Sequence, residues 1–256
     1  MRFQVLSDIH LECYAEYPGI RQFISQPGCA DVLCLCGDIG DPFSPRYRSF
    51  LEDCVAAAYL YSYVIVIAGN HEYYHHRHSK VRRHIRNLCK EIDAKKLVFL
   101  DNEVFDISDT IRVVGTTLWS TILPDQRQAV GHLVKDYKLI KNWTIEANDN
   151  ANKKAIKFIR DQLSSKCKKR VVIMTHHAPL MECGNPKFAS SPLSSAFNND
   201  LEDLIISNHD RIAAWMYGHD HYNKRFAIGD TTIVSHQLGY PDEHQSNRLC
   251  DCFVDV

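Results

Sequence analysis

Five apolar segments of this 256-residue chain each end in side chains that can bind metal ions or transfer protons. The clearest segment, from Tyr63 to Ala68, is rich in β-branched residues, which predicts a fully buried β-strand. Open α/β sheets gather polar residues of this kind at the carboxyl ends of their strands, so we expect the five ends to form one site. The polar ends are Asp8-Ile9-His10, Gly37-Asp38, Gly69-Asn70-His71-Glu72, His176-His177 and Gly218-His219-Asp220-His221.

Composition and charge are those of an ordinary globular protein. The chain has 30 Lys and Arg against 31 Asp and Glu, and 45% of its residues are hydrophobic. It lacks internal repeats, low-complexity stretches and an evident linker, so one α/β domain over residues 1–256 is predicted. The balanced charge argues against binding to nucleic acid through a general basic field, although a local basic patch is left open. No apolar run reaches the length of a membrane span, so we expect none.

The ten cysteines bear on the cellular compartment. Cys34 and Cys36 alternate with leucines in an apolar run, which indicates buried strand residues. No CxxC pair occurs, and structural zinc sites are usually built from such pairs. We therefore predict free thiols in a reducing environment, and so a cytoplasmic location.

The polar strand ends contain a donor set suited to divalent metal ions. Imidazole with carboxylate favours zinc, iron, manganese, nickel or copper over calcium or magnesium alone. The donors are too many for one tetrahedral ion, and one shared carboxylate suits two ions roughly 3.5–4 Å apart, a spacing that serves phosphoryl chemistry. We expect Mn, Fe or Zn, with Mg, Ni or Co also compatible. The candidate ligands are Asp8, His10, Asp38, Asn70, His176, His219 and His221.

Taken in this order, the five blocks resemble those of the calcineurin-like metallophosphoesterases. The resemblance extends from Asp8 to His221 and is strongest to small single-domain members with GNHEYY, THHAP and GHxH motifs, found here at 69–74, 175–179 and 218–221. It implies a four-layer αββα sandwich, in which two mixed β-sheets pack face to face and helices flank them. It also implies an enzyme that hydrolyses phosphate esters, with nucleotides among the candidate substrates.

The resemblance also implies roles for individual residues. One ion would be bound by Asp8, His10, Asp38 and His221, and the other by Asp38, Asn70, His176 and His219. Asp38 would bridge the two ions, a bridging water or hydroxide would attack phosphorus, and His71 would protonate the leaving oxygen or stabilise its charge. Two dications lower the pKa of a bound water, and a histidine near its working pKa can donate the required proton. Because metal-binding imidazoles must be neutral, we expect the site to fail in acid.

One departure from the family pattern narrows the substrate class. Serine/threonine phosphatases of this superfamily carry an arginine directly after the second aspartate of GDxxD, whereas here Asp41 is followed by Pro42. That arginine would bind a phosphate bidentately, so we do not expect a dedicated phosphoprotein phosphatase and we favour diesters. The 35 residues after His221 are too few for the capping domain of the related double-strand-break nucleases. Phosphomonoester hydrolysis and a non-catalytic scaffold on the same fold are the alternatives.

Some nearby residues have roles that the pattern leaves open. His177 and Tyr73 are expected beside the metal ligands or facing the substrate, and packing beneath the site is an equal alternative for Tyr73. The histidines at 75, 76 and 78 indicate a polar loop rather than a third metal site. Residues 118–150 are expected to form an insertion of short helices and loops that shapes the pocket together with the 181–199 loop. The segment 239–243 also resembles one in the small enzymes, and its position relative to the site is open.

Overall fold

The computed structural model describes residues 1–24, 29–57, 61–164, 166–243 and 252–256. The strands are β1 (Arg2–Leu6), β2 (Val32–Cys36), β3 (Tyr63–Ile67), β4 (Leu97–Phe99), β5 (Glu103–Asp106), β6 (Ile111–Thr116), β7 (Arg170–Thr175), β8 (Ile212–Tyr217), β9 (Arg225–Ile228), β10 (Thr231–Ser235) and β11 (Phe253–Asp255). The α-helices are α1 (Pro45–Ala56), α2 (His78–Asp93), α3 (Arg127–Leu133), α4 (Asp136–Leu139), α5 (Ile145–Ser164) and α6 (Glu202–Ile206). A helix that could span a membrane is absent from this described part of the chain.

These strands form two mixed sheets. In the first sheet the order is β11-β1-β2-β3-β4, where β1 to β4 are parallel and β11 is an antiparallel edge strand. In the second sheet the order is β5-β6-β7-β8-β10-β9, where the four central strands are parallel and both edge strands are antiparallel. Parallel neighbours require long crossover connections, and most of the α-helices lie in these crossovers.

The two sheets pack face to face around a shared core. Val5 and Ile65 of the first sheet belong to one buried cluster with Met174 and Met216 of the second. Helices α1 and α2 cover the outer face of the first sheet, and α5 and α6 cover that of the second. The central strands are therefore buried on both faces, which explains why their segments are continuously apolar. The predicted four-layer αββα sandwich is confirmed.

The topology places the five polar segments at one edge of the sandwich. They directly follow the carboxyl ends of β1, β2, β3, β7 and β8, and these strands run parallel to their neighbours within each sheet. An isolated β-bridge between Ser7 and Gln237 links the end of β1 to the segment after β10 in the other sheet. Strand ends from both sheets therefore meet at a common edge.

The 118–150 stretch contains α3, α4 and the first turns of α5, joined by loops. Short helices and loops were predicted here, but the long helix α5 begins inside this stretch, at Ile145. Thr144 favours this early start, because its hydroxyl oxygen accepts a hydrogen bond from the backbone N–H of Ala147 at 3.1 Å. The first turns of α5 are largely polar, so the apolar periodicity that marks a helix in the sequence begins only later.

Candidate metal centre

The candidate ligands lie together at the carboxyl edge of the two sheets. Two groups have all their donor atoms within 4.8 Å of one another: Asp8, His10 and His221, and Asp38, His176 and His219. Asn70 joins the second group, because its side-chain oxygen is 3.0 Å from Nε2 of His176. A third group with the same spacing combines His10, Asp38 and His71. Residues that are more than 200 positions apart in sequence are thus neighbours in space.

Asp38 lies between the histidines of the different groups. Its Oδ1 atom is 3.4 Å from Nε2 of His176. Its Oδ2 atom is 3.9 Å from Nε2 of His10 and 3.8 Å from Nε2 of His71. The two oxygens of one carboxylate therefore face different sets of nitrogen donors, which is the arrangement that a bridging carboxylate needs.

The side chain of Asn70 is oriented by a neighbour from the insertion. Its amide nitrogen donates a hydrogen bond to Oδ1 of Asp136 in α4 at 2.9 Å, and the hydroxyl of Tyr74 donates to the same oxygen at 2.9 Å. The amide oxygen of Asn70 therefore faces His176, where it can act as a metal ligand. No sequence pattern pointed to Asp136, because its partner is 66 residues away.

Five of the candidate ligands have backbone conformations that residues other than glycine rarely adopt. Each lies two to four residues after the end of a strand, where the chain turns sharply. Left-handed conformations of this kind cost energy and are concentrated at functional sites. The residues, with φ between 52° and 91°, are Asp8, His10, Asp38, His219 and His221.

Glu72 joins the loops that follow β2 and β3. Its fully buried carboxylate accepts hydrogen bonds from the backbone N–H groups of Asp38 at 3.0 Å, Ile39 at 2.8 Å and Gly69 at 2.8 Å. These contacts fix the backbone that carries Asp38 and Asn70, so Glu72 acts as a support for the ligands. The sequence pattern included Glu72 in the GNHE block without indicating this role.

Glu12 contacts two of the histidines. Its Oε1 atom is 3.0 Å from Nδ1 of His10 and 2.9 Å from Nδ1 of His71. Burial opposes ionisation, but these hydrogen bonds hold the pKa of Glu12 at about 2. The carboxylate favours a proton on each Nδ1 and leaves the Nε2 atoms facing the site. The only sequence signal for Glu12 was an acidic residue two positions after His10.

Two histidines bind protons tightly when metal ions are absent. Burial lowers the pKa of His176, but the charge of Asp38 outweighs it and raises this pKa to about 9. In the same way, hydrogen bonds to Asp8 and Glu243 overcome burial and raise the pKa of His221 to about 10. A cation that binds here must displace these protons, so metal affinity should rise with pH.

The pKa values of His177 and His219 are lowered rather than raised. Burial lowers the pKa of His177 to about 3, and burial together with the charges of His177 and His176 places the pKa of His219 well below its ordinary value. The His177 ring lies 4.0 Å from the His219 ring and 5.2 Å from Trp119, and its Nδ1 has no hydrogen-bond partner among the described residues. His177 therefore packs directly beside a candidate ligand.

The two tyrosines of the GNHEYY block lie in different places. Tyr73 is buried, and its ring stacks on His78 at 3.7 Å between centroids, away from the cavity at the site. Of its two predicted positions, the structure places Tyr73 in the packing beneath the site. Tyr74 instead lines the cavity, with its ring 4.3 Å from that of His71.

The segment 239–243 also reaches the site. The Tyr240 ring lies 4.3 Å from His10 and 4.8 Å from His221, and its hydroxyl is 3.4 Å from Nε2 of His71. Glu243 Oε2 is 2.6 Å from Nδ1 of His221. The position of this segment, which the sequence left open, is beside the first group of ligands.

The site opens into a cavity of about 600 Å³. The donor cluster forms part of its lining, represented by Asp38, His71 and His219. The stretch from Leu133 to Asp136 and several residues between 181 and 198 form much of the rest. The insertion and the loop thus shape the pocket, as the sequence suggested.

The donor set suits divalent cations. It consists of imidazole nitrogens, carboxylate oxygens and one amide oxygen, a mixture favoured by Mn, Fe and Zn. Burial opposes ionisation of Asp8 and Asp38, but the surrounding histidines hold both pKa values below the ordinary range. Both carboxylates are therefore ready to bind cations at neutral pH.

Comparison with known proteins places the chain in a family. The family model of the calcineurin-like phosphoesterases matches residues 1–223. The chain belongs to this family, which confirms the resemblance seen in the five sequence blocks. Membership supports metal-dependent hydrolysis of phosphate esters.

Individual relatives agree with this assignment. An uncharacterized protein of Acanthamoeba polyphaga mimivirus is 30% identical over 277 residues, covering 98% of this chain and 95% of its own length. The structure of phosphopantetheinyl hydrolase (PptH) from Mycobacterium tuberculosis matches with a TM-score of 0.72 and 17% identity, covering 99% of this chain and 95% of that one. A dimetal phosphatase from Danio rerio matches with a TM-score of 0.53 and 16% identity, covering 97% and 90%. At these identities the solved structures show a shared fold.

Proposed function

We propose that this protein hydrolyses phosphate esters with the help of two divalent cations. The observation that carries the proposal is the position of Asp38, whose two carboxylate oxygens face different groups of histidines. One cation would be held by Asp8, His10, Asp38 and His221, and the other by Asp38, Asn70, His176 and His219. Manganese, iron or zinc suits these donors best, and magnesium, nickel or cobalt is also compatible.

The bound cations and His71 would have different roles in the hydrolysis. When bound, two cations supply positive charge for the phosphoryl oxygens and lower the pKa of a coordinated water. His71 would donate a proton to the leaving oxygen from Nε2, since its Nδ1 is held by Glu12 at 2.9 Å. Burial lowers the pKa of His71, but the charge of Asp38 and the hydrogen bond to Glu12 raise it above its ordinary value. This shift favours the protonated form that a proton donor needs.

Charge in the cavity supports a diester as the substrate. Among the described residues that line it, Lys135 is the one Lys or Arg side chain, and it is exposed. The arginine that grips phosphate in phosphoprotein phosphatases has no counterpart at Pro42. A diester carries one negative charge near neutral pH, less than a monoester, and needs less positive charge from the protein. Monoester hydrolysis is the alternative.

A scaffold on the same fold is the second alternative. A scaffold needs neither a metal-ligand set nor a proton donor, and this chain keeps both.

The free thiols of the described cysteines support the reducing, cytoplasmic location expected from the sequence, and Cys250 lies outside the described residues. That location stays a prediction.

The test begins with metal content and two substrates. Protein loaded with Mn²⁺ is expected to bind two ions per chain and to hydrolyse bis-p-nitrophenyl phosphate faster than p-nitrophenyl phosphate. A phosphopantetheinyl ester belongs in the substrate panel, because the PptH structure shares this fold. His71→Ala should lower kcat on the phosphopantetheinyl ester, whose leaving alkoxide needs a proton, by about 10²- to 10⁴-fold with both ions retained, and much less on the p-nitrophenyl esters. Asp38→Ala should lose metal and activity together.

The matched control is His132→Ala, which removes an exposed imidazole bonded only to its own helix. This variant should keep wild-type rates. Protein that binds two ions yet cleaves no ester in the panel would contradict the proposal, and so would an Asp38→Ala variant of unchanged activity.

A further inference from the structure

We propose that the cavity beside the candidate metal centre binds a flexible apolar chain, so that the substrate is a phosphate ester of an alcohol with a long alkyl portion. This inference rests on the proposed function and names the substrate class of that site. It is drawn from the shape, the apolar wall and the charge of one cavity.

The cavity is continuous with the donor cluster. Asp38, His71 and His219 line it together with Leu133 and Phe188. A phosphorus atom held by the cluster would therefore carry its ester group directly into the cavity. A volume of about 600 Å³ lies within the range of small-molecule sites.

The lining also includes apolar side chains that are open to solvent. Leu133 is 61% exposed, Phe188 is 55% exposed and Met181 is 46% exposed. Seven large hydrophobic residues of the described chain are exposed, and these three lie in this one cavity. Single exposed apolar residues need no explanation, but a cluster of them beside a reactive site indicates an apolar ligand.

Three acceptor oxygens of the lining are already engaged, whereas Oδ1 of Asn198 and Oδ2 of Asp220 are buried without a partner among the described residues. The side-chain oxygen of Asn185 accepts from the backbone N–H of Lys187 at 3.0 Å. The Ser191 hydroxyl accepts from the Leu193 N–H, and the Ser194 hydroxyl accepts from the side-chain amide of Gln126, both at 3.2 Å. Recognition of a nucleobase edge needs donors as well as acceptors, and the two unpartnered atoms are both acceptors, whereas an alkyl chain needs neither.

The charge of the lining residues also favours an uncharged ligand. Beside Lys135, the lining includes the acidic residues Asp136, Asp220 and Glu243. Nucleic acid strands and polyphosphates are bound through several cationic side chains, which the described lining does not supply. An alkyl chain is uncharged and meets no repulsion from these carboxylates.

Calorimetric binding of a series of alkylphosphonates tests the inference without any need for turnover. The probes are methyl-, butyl- and octylphosphonate, below their aggregation concentrations, titrated into Mn²⁺-loaded protein. Full burial of one methylene strengthens binding about fourfold. With partial burial, we expect the Kd of octylphosphonate to be about tenfold or more below that of methylphosphonate.

Two variants connect this chain-length effect to the cavity. Phe188→Ser and Leu133→Ser should each reduce the ratio of the methyl to the octyl Kd by about threefold or more. Both residues are exposed, so the fold should tolerate the changes, and circular dichroism verifies this. Ile206→Ser is the matched control, because Ile206 is 49% exposed on α6 and does not line the cavity. It should leave the ratio unchanged.

The outcomes separate this inference from the proposed function. Equal Kd values for methyl- and octylphosphonate overturn the inference, even when bis-p-nitrophenyl phosphate is hydrolysed. A stronger affinity for adenosine monophosphate than for octylphosphonate also overturns it, in favour of a nucleoside ester. A chain-length effect that Phe188→Ser abolishes, in protein that cleaves no ester, supports the cavity assignment and contradicts the proposed function alone.

Discussion

Gly69→Ala tests whether the position of Asp38 controls the candidate metal centre. A methyl group at Gly69 would overlap Oδ1 of Asp38. It would also lie 2.7 Å from the backbone nitrogen of Asp38 and 2.7 Å from Cε1 of His176, whereas ordinary contacts begin at 3.4 Å. The substitution therefore presses on two candidate ligands without removing any donor atom.

The structure sets the size of the effect. Relief of the contacts with the Asp38 nitrogen and the His176 ring requires a shift of about 0.7 Å, and relief of the overlap with Oδ1 requires more. Glu72 holds the backbone N–H groups of both Asp38 and Gly69, so neither loop can yield freely. Metal–ligand distances tolerate only about 0.2 Å. A displacement of about 1 Å at a reacting centre costs on the order of 10²-fold in rate. We expect a loss of about that size, with an overpacking cost of about 1–3 kcal/mol in stability.

The assay combines metal content after dialysis, kcat/KM on a p-nitrophenyl ester, and urea unfolding in the presence of a chelator. Gly131→Ala is the matched control, because its methyl group would meet only the flexible end of Ile145, at 3.2 Å, and alanine favours the helix α3. The control should bind metal and turn over like the wild type. A Gly69→Ala protein with two ions, wild-type stability and a rate within about threefold of wild type would refute the reasoning.

Two further predictions concern the acid–base groups. Glu12→Gln should lower kcat about tenfold or more for alkyl esters and much less for p-nitrophenyl esters, whose leaving group needs no proton. An equal loss on both would exclude a role for Glu12 in positioning His71 for proton transfer. Glu16→Gln, at an exposed position, is the control. The free energy of unfolding of chelated protein should fall as the pH rises from 7 to 9. The folded state keeps protons in this range that the unfolded chain releases, so stability falls by about 1.4 kcal/mol per proton and pH unit. These groups include His176 and His221, whose pKa values are raised. Saturating Mn²⁺ should reduce this fall, and a chelated protein that gains stability from pH 7 to 9 in a urea titration would contradict the assignment.

Much of the fold was predictable because its signals are local. A continuous apolar run predicts a strand buried on both faces, and a polar block at its end predicts a place at the carboxyl edge of a sheet. The start of α5 was not predictable in this way. Its first turns are polar and depend on the Thr144 cap, which leaves no apolar periodicity in the sequence.

The supporting residues of the site show where prediction from sequence ends. Glu12 contacts His71 across 59 residues, and Asp136 contacts Asn70 across 66 residues. Tyr240 reaches His71 across 169 residues. No pattern within a short window links such pairs. Strand pairing within the first sheet brings Glu12 to His71, and the packing of the two sheets brings Asp136 and Tyr240 to the site.

The sequence by itself determined the residue types of the donor set and their attachment to strand ends, since both follow from local composition and the two-faced burial of parallel strands. Only the tertiary structure decided that Asp38 faces both histidine groups, that Tyr74 rather than Tyr73 lines the cavity, and that the apolar wall lies beside the donors. The physical reason is that the direction of a side chain depends on the turn that carries it and on the neighbours that pack against it. Those neighbours come from distant parts of the chain, so they exist only once the two sheets have closed on each other.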